Sequence, residues 1–169
     1  MTVLIPYHAG ILVPDIAAAM GDLSARFGYM FNEPVTMKPY EVDDRINGTT
    51  GPIEATVTYT RQGPFRLELI EFSGDGIYSS AHGAGPHHLG VWEPDIDARL
   101  AEVEASGAKI DAVFRGSDGA ISVFYVSPDT APGGTRIEYV SERQRARLER
   151  WFDTGVIDQP ARPHDVSAG

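Results

Sequence analysis

One short pattern occurs twice in this chain, 80 residues apart. The first copy reads Pro6-Tyr7-His8-Ala9-Gly10-Ile11 followed by Pro14-Asp15-Ile16, and the second reads Pro86-His87-His88-Leu89-Gly90-Val91 followed by Pro94-Asp95-Ile96. A second echo, Arg66-Leu67-Glu68 and Arg136-Ile137-Glu138, has an offset of 70. Such a duplication points to two copies of one supersecondary unit, stacked so that each covers apolar surface the other cannot bury alone. Each copy has one histidine near its start and one glutamate near its end. Folded against each other as pseudo-equivalent halves, the copies would bring two imidazoles and two carboxylates around one metal ion.

The sequence between these markers supports the same division. Residues 7–13 are apolar and rich in β formers, and Pro14-Asp15 closes that strand. Asp15 is placed to cap a helix over 16–27, where Ile16, Ala19, Met20, Leu23 and Phe27 recur at helical spacing before a stop at Gly28. Residues 31–40 read as an irregular strand broken by Pro34 and Pro39, and 41–52 as a polar loop with an Asn47-Gly48 turn. Alternation returns over 54–59 and 65–72, joined by a hairpin-like connection at 61–64. After a glycine-rich stretch the order restarts: a strand over 88–92, a helix over 96–105 with Leu100 and Val103 inward, then strands over 109–114, 120–126 and 134–140. The expected architecture is therefore α+β, with two tandem βαβββ modules, 1–74 and 87–141, joined by the linker 75–86 into one curved, cup-shaped mixed sheet. Residues 142–169 add a helix over 142–152, with Leu148, Trp151 and Phe152 along its apolar edge, and a loose tail from 158. That helix is expected on the outside of the sheet or against another subunit.

Composition removes several chemistries. With no cysteine in the chain, disulfides, zinc–thiolate sites, iron–sulfur clusters and cysteine nucleophiles are excluded, and any metal must be held through nitrogen and oxygen. A formal net charge of -10 repels phosphate backbones and argues against nucleic acid as a partner. No apolar run nears the roughly 20 residues needed to span a bilayer, and no secretory leader is legible, so a membrane is not an expected partner and cytoplasm is the expected location. Neither a Gly-X-Ser-X-Gly turn, a phosphate loop nor a dinucleotide fingerprint occurs.

Strand alternation places Arg66, Glu68 and Ile70 on one face of the first module and Arg136, Glu138 and Val140 on one face of the second. An ionised glutamate at the centre of an apolar strand is costly unless a cation pairs with it. His8 and His88, opening strands at the same place in the repeat, supply the remaining ligands. Imidazole with carboxylate suits zinc, nickel, cobalt, manganese or iron.

The segments 7–20 (YHAGILVPDIAAAM), 66–72 (RLELIEF), 86–110 (PHHLGVWEPDIDARLAEVEASGAKI) and 124–140 (FYVSPDTAPGGTRIEYV) resemble, in order and spacing, the vicinal oxygen chelate superfamily of glyoxalase, bleomycin-resistance and dioxygenase proteins. The layout is similar to glyoxalase I and methylmalonyl-CoA epimerase-like members. The resemblance implies paired βαβββ modules wrapping one divalent ion, ligands at His8, Glu68, His88 and Glu138, and a homodimer. Binding-only members of the superfamily often lose several ligands, whereas all four positions here hold competent ones. The epimerase branch carries a further catalytic glutamate before its third strand; here that region reads Asn47 to Pro52, and Glu54 comes several residues late. Ring-cleaving dioxygenases of the superfamily use two histidines and one glutamate, so a fourth ligand at Glu68 argues against that branch.

The function expected is a divalent-metal-dependent isomerase, epimerase or lyase that removes a proton next to a metal-bound carbonyl of a small substrate, with Glu138 or Glu68 as the base. Two other readings stay open: a metal-free protein that binds or sequesters a small molecule in the cup, and an Fe(II)-dependent ring-cleaving dioxygenase. Lesser candidates surround the four ligands. His87 is expected to point away from His88 in a regular strand, and His82 sits in the linker. Tyr59, Phe65, Trp92, Phe124 and Tyr125 read as pocket lining or core. Asp15 and Asp95 are explained by helix capping, and Arg66 and Arg136 as outer-face residues or anion contacts.

Overall fold

The computed structural model describes residues 3–158. The first half runs β1 (Pro6–Val13), α1 (Ile16–Phe27), β2 (Val35–Met37), β3 (Glu41–Asp44), β4 (Thr49–Gly51), β5 (Ala55–Tyr59) and β6 (Arg66–Glu71). The second half runs β7 (Gly85–Glu93), α2 (Ile96–Ala105), β8 (Ile110–Arg115), β9 (Ile121–Val126) and β10 (Arg136–Ser141), and α3 (Arg145–Thr154) follows. Both capping aspartates act as expected: Asp15 Oδ1 accepts from the Ala18 N–H at 2.8 Å, and Asp95 Oδ1 from the Ala98 N–H at 3.1 Å. α1 ends at Gly28, whose φ of 73° lies in the left-handed region that glycine enters without a Cβ penalty.

All ten strands form one mixed sheet in the order β2-β5-β6-β1-β7-β10-β9-β8-β3-β4, curved into a half-barrel. The modules meet at the antiparallel pair β1–β7, where Ala9 lies opposite Leu89, its counterpart in the repeat. A pseudo-two-fold axis therefore passes through this pair. On either side the parallel pairs keep equivalent registers, with His8 opposite Arg66 and Arg136 opposite His88. α1 and α2 cover the outer face through Ile16 on Val13 and Leu69, and through Ile96 and Leu100 against Val113, Phe124 and Val126. The inner face carries Leu12, Val57, Tyr59, Ile70, Phe114, Tyr125 and Val140. Among the described residues no helix is long and apolar enough to cross a membrane.

Two segments differ from the sequence expectation. The polar stretch over 41–52 is a β-hairpin, β3–β4, turning at Asn47-Gly48. It leaves its own module and pairs with β8 at the far edge of the other, Val42 opposite Phe114 and Asp44 opposite Ala112. Its only apolar strand residue, Val42, is buried, and Asp44 satisfies the turn by accepting from the Ile46 and Asn47 backbones. Strand structure here comes from backbone pairing with an open edge, which side-chain alternation does not report. The second difference is α3. It lies on the inner face, where Leu148, Trp151 and Phe152 join the cluster that holds Tyr59 and Tyr125. The tail expected beyond Asp158 lies outside the described residues.

If α3 belongs to the inner core, truncating Phe152 is expected to behave as a core deletion. Phe152→Ala should cost about 3–5 kcal/mol in urea unfolding, against no more than about 0.5 kcal/mol for the exposed Arg150→Ala. Equal, small effects of the two substitutions would contradict this placement.

Candidate metal centre

Two rows of residues cross the middle of the sheet. One runs Tyr59, Glu68, Gly10, His88, Arg136 across β5, β6, β1, β7 and β10. The other runs Tyr125, Glu138, Gly90, His8, Arg66 across β9, β10, β7, β1 and β6. The rows are the same sequence of residue types read in opposite directions about the pseudo-two-fold axis. In each, a glutamate and a histidine flank a glycine, and the missing side chain leaves the space the imidazole fills. A Cβ at Gly10 would lie 2.0 Å from His88 Cε1, and one at Gly90 would lie 1.9 Å from His8 Cε1.

The rows bring all four expected ligands together. The Nε2 atoms of His8 and His88 lie 2.9 Å apart. Oε2 of Glu138 is 3.0 Å from His8 Nε2 and 3.4 Å from His88 Nε2; Oε2 of Glu68 is 3.4 Å and 3.1 Å from the same atoms. The four donor atoms lie within 4.8 Å of one another, and all four residues are buried. The other oxygen of each carboxylate is taken by a tyrosine: Tyr59 donates to Glu68 Oε1 at 2.6 Å and Tyr125 to Glu138 Oε1 at 2.5 Å. Both Oε2 atoms are left without a hydrogen-bond partner. This donor set fits a divalent cation. Bonds of about 2.1 Å to nitrogen and oxygen space adjacent ligands roughly 3.0–3.4 Å apart, as here, and an ion satisfies the two orphaned oxygens.

The sequence profile of the glyoxalase/bleomycin resistance protein/dioxygenase superfamily matches residues 7–125. The chain belongs to this superfamily. Solved structures share its fold at low identity. A methylmalonyl-CoA epimerase in complex with methylmalonyl-CoA and NH4+ has a TM-score of 0.57 at 20% identity, over 83% of this chain and 95% of that one. A hypothetical protein from Bacillus halodurans C-125 has 0.55 at 19%, over 83% and 96%. Methylmalonyl-CoA epimerase from Mycobacterium tuberculosis has 0.53 at 18%, over 83% and 91%. No curated protein matches the sequence.

Within this superfamily fold, the β1–β7 pairing contains two bulges that the repeat does not announce. Tyr7 is the extra residue between the pairs Pro6–Val91 and His8–Gly90, and His87 the extra residue between Gly10–His88 and Ile11–Pro86. The bulge corrects the expected orientation of His87: its ring turns toward His88, with the two Nδ1 atoms 2.9 Å apart and its Nε2 2.9 Å from the Ile77 carbonyl. These contacts define one proton order. His87 Nε2–H donates to Ile77 O, His87 Nδ1 accepts from His88 Nδ1–H, and His88 Nε2 keeps its lone pair for the cluster. Burial and the adjacent His88 hold His87 neutral, with a pKa lowered to about 2. His8 has no such neighbour. Tyr7 occupies the equivalent bulge, and His8 Nδ1 has no hydrogen-bond partner.

Charge within the cluster is strongly coupled. Burial disfavours the His8 imidazolium, but the close Glu138 and Glu68 carboxylates outweigh it and raise the pKa to about 9. Burial likewise opposes the His88 cation, and the charge of Glu138 with bonds to both glutamates raises its pKa too. Burial alone would push the glutamates up; their bonds and charges shared with His8 and His88 bring both down, Glu138 furthest. Tyr78 lies 2.8 Å from the Tyr125 hydroxyl, extending the network behind Glu138.

Other sequence candidates fall elsewhere. His82 bonds the Gly76 carbonyl at the surface, and Glu54 pairs with Lys38 at 2.9 Å. Phe65 is exposed, Phe124 lies in the outer-face core, and Trp92 stacks on Tyr7 with centroids 4.0 Å apart. Arg136 is buried against Asp111 at 2.8 Å, and the Arg66 guanidinium lies over Phe152. Tyr59 and Tyr125 were legible only as aromatic residues. Their place beside the glutamates follows from strand register, which one sequence does not reveal.

Two outcomes follow from this geometry. Gly10→Ala or Gly90→Ala forces a methyl into an imidazole and should destabilise the fold by about 1–3 kcal/mol while weakening metal affinity, read by urea unfolding and metal titration; unchanged affinity in both variants would contradict the arrangement. The second concerns protons. Because the His8 pKa is raised above its ordinary value of 6.5, its cation stabilises the metal-free fold fully below about pH 6.5, and that contribution is lost as pH rises through about 9. An ion binding at pH 7 displaces this proton, so calorimetry in buffers of different ionisation enthalpy should give at least one proton released per ion, not zero.

Proposed function

We propose that the protein is a divalent-metal-dependent isomerase, epimerase or lyase that moves a proton next to a carbonyl of a small substrate. The observation that carries this reading is the pair of buried carboxylates, each with one oxygen held by a tyrosine and the other free beside two imidazole nitrogens. His8, Glu68, His88 and Glu138 would hold the ion. Bound there, it supplies Lewis acidity that lowers the cost of negative charge on a carbonyl oxygen as an α proton leaves.

The remaining work falls to the chain. Glu68 and Glu138 face the site from opposite sides of the pseudo-two-fold axis. A proton taken by the carboxylate of one and returned by the other inverts a carbon centre; return to the neighbouring carbon isomerises, and departure of a β substituent eliminates. Tyr59 and Tyr125 orient the two carboxylates through their Oε1 atoms, and Tyr78 holds Tyr125. His87 fixes the His88 tautomer. The aromatic and aliphatic walls of the cup, Tyr7, Val57 and Phe114 among them, exclude water and so strengthen every charge interaction within. The homodimer and the cytoplasmic location expected from the sequence belong to this same proposal.

Solvent deuterium exchange tests the chemistry. Metal-loaded protein should wash deuterium into the α carbon of carbonyl substrates, and Glu138→Gln or Glu68→Gln should slow that exchange by about 100-fold or more. Exchange indifferent to both substitutions would contradict the proposal. Stoichiometric oxygen uptake dependent on ferrous ion would replace it with the dioxygenase reading.

A further inference from the structure

The inner cup opens into a cavity of about 200 Å³ whose floor includes Glu68 and Glu138. One wall is α3. Gln144, just before the helix, and Arg147, Leu148 and Trp151 within it all line the cavity, at the three- and four-residue spacings that place side chains on one helical face. Tyr7 of β1 lines the same space.

Two hydrogen-bond donors of this lining are buried without a partner among the described residues, the Trp151 Nε1–H and the Tyr7 hydroxyl. Trp151 is completely buried, so bulk water does not satisfy its indole N–H. A buried donor left unmet is costly, and such groups are rare without a reason. Charge points the same way. Arg147 and Arg115 both line the cavity, and neither forms an ion pair among the described residues. The Arg147 guanidinium is oriented by neutral acceptors only, the Asp158 carbonyl at 2.6 Å and Gln144 Oε1 at 3.3 Å. In a chain of net charge -10, Arg147 and Arg115 give the cavity wall positive charge, set apart from the Glu68 and Glu138 carboxylates that the same cavity holds at its floor.

We propose that the α3 wall is an anion subsite: beyond its reacting carbonyl the substrate carries a carboxylate, which accepts hydrogen bonds from Trp151 Nε1–H and the Tyr7 hydroxyl and is balanced by Arg147. This deepens the carbonyl reading above and rests on it. The substrate class becomes a small oxo acid, with the carbonyl at the four-ligand cluster and the carboxylate at the helix.

Calorimetric binding of 4-oxopentanoate and its uncharged methyl ester tests this, in metal-loaded and in chelator-treated protein. The acid should bind about tenfold or more tightly than the ester, the scale of one charge-assisted hydrogen bond. Arg147→Gln, which keeps a polar side chain at this half-buried position, should reduce acid affinity several-fold and leave the ester unchanged; Trp151→Phe, which keeps an aromatic ring and removes the N–H, should do the same. Equal affinity for acid and ester, no binding of either, or a loss in Arg147→Gln shared by both ligands would overturn the subsite. The chelator-treated protein separates this proposal from the metal reading. A preference for the acid that persists there supports the subsite whatever becomes of the ion, and a preference that vanishes with the ion overturns it by assigning the carboxylate to the metal.

Discussion

Each histidine of the cluster occupies the space left by a glycine of the other half. Across the antiparallel β1–β7 pair, Gly90 accommodates His8 and Gly10 accommodates His88, with room for no Cβ at either glycine. The His-X-Gly spacing of the repeat is thus a mutual steric requirement, satisfied twice by one symmetry operation. Neither module contains a complete site. The two Nε2 atoms meet only because Ala9 and Leu89 face each other on the pseudo-axis, and a shift of one residue in that pairing would put the two imidazoles on opposite faces of the sheet.

The carboxylates make this arrangement electrostatically demanding. Glu68 and Glu138 are buried in the interior of strands flanked by Leu69, Ile70 and Val140. Their tyrosine bonds satisfy half of each group and leave two oxygens that need positive charge. In the metal-free protein, the proton on His8 supplies it, which accounts for the raised pKa of that residue. A divalent ion supplies it more completely, so the folding of the central strands and the binding of a cation stabilise the same geometry. The asymmetry between His87 and Tyr7 at the two bulges gives the otherwise symmetric centre one tightly oriented histidine and one whose Nδ1 is unpartnered.

The four clustered residues were legible in the sequence because the repeat carries register. Two motifs at offsets of 80 and 70 are enough to place His8, Glu68, His88 and Glu138 in equivalent positions on equivalent strands. Features that depend on contacts between elements were not. The 41–44 strand exists because β8 offers an open edge, and its own sequence, Glu-Val-Asp-Asp, has too little alternation to announce it. α3 has an apolar edge that fits either face of the sheet, and only its docking on Tyr59 selects the inner one. His87 reads as outward under strict alternation, and the bulge that reverses it leaves no mark in a single sequence. Tyr59 and Tyr125 sit at an offset that matches neither repeat interval, so their equivalence emerges only from the strand pairing.

Four side chains from both halves are set to hold one cation between them. Anomalous diffraction from crystals of the metal-loaded protein tests it directly. A single dominant peak is expected, about 2.1 Å from the Nε2 atoms of His8 and His88 and from the Oε2 atoms of Glu68 and Glu138. A peak elsewhere on the molecule, or no peak from protein crystallised with saturating ion, would contradict it.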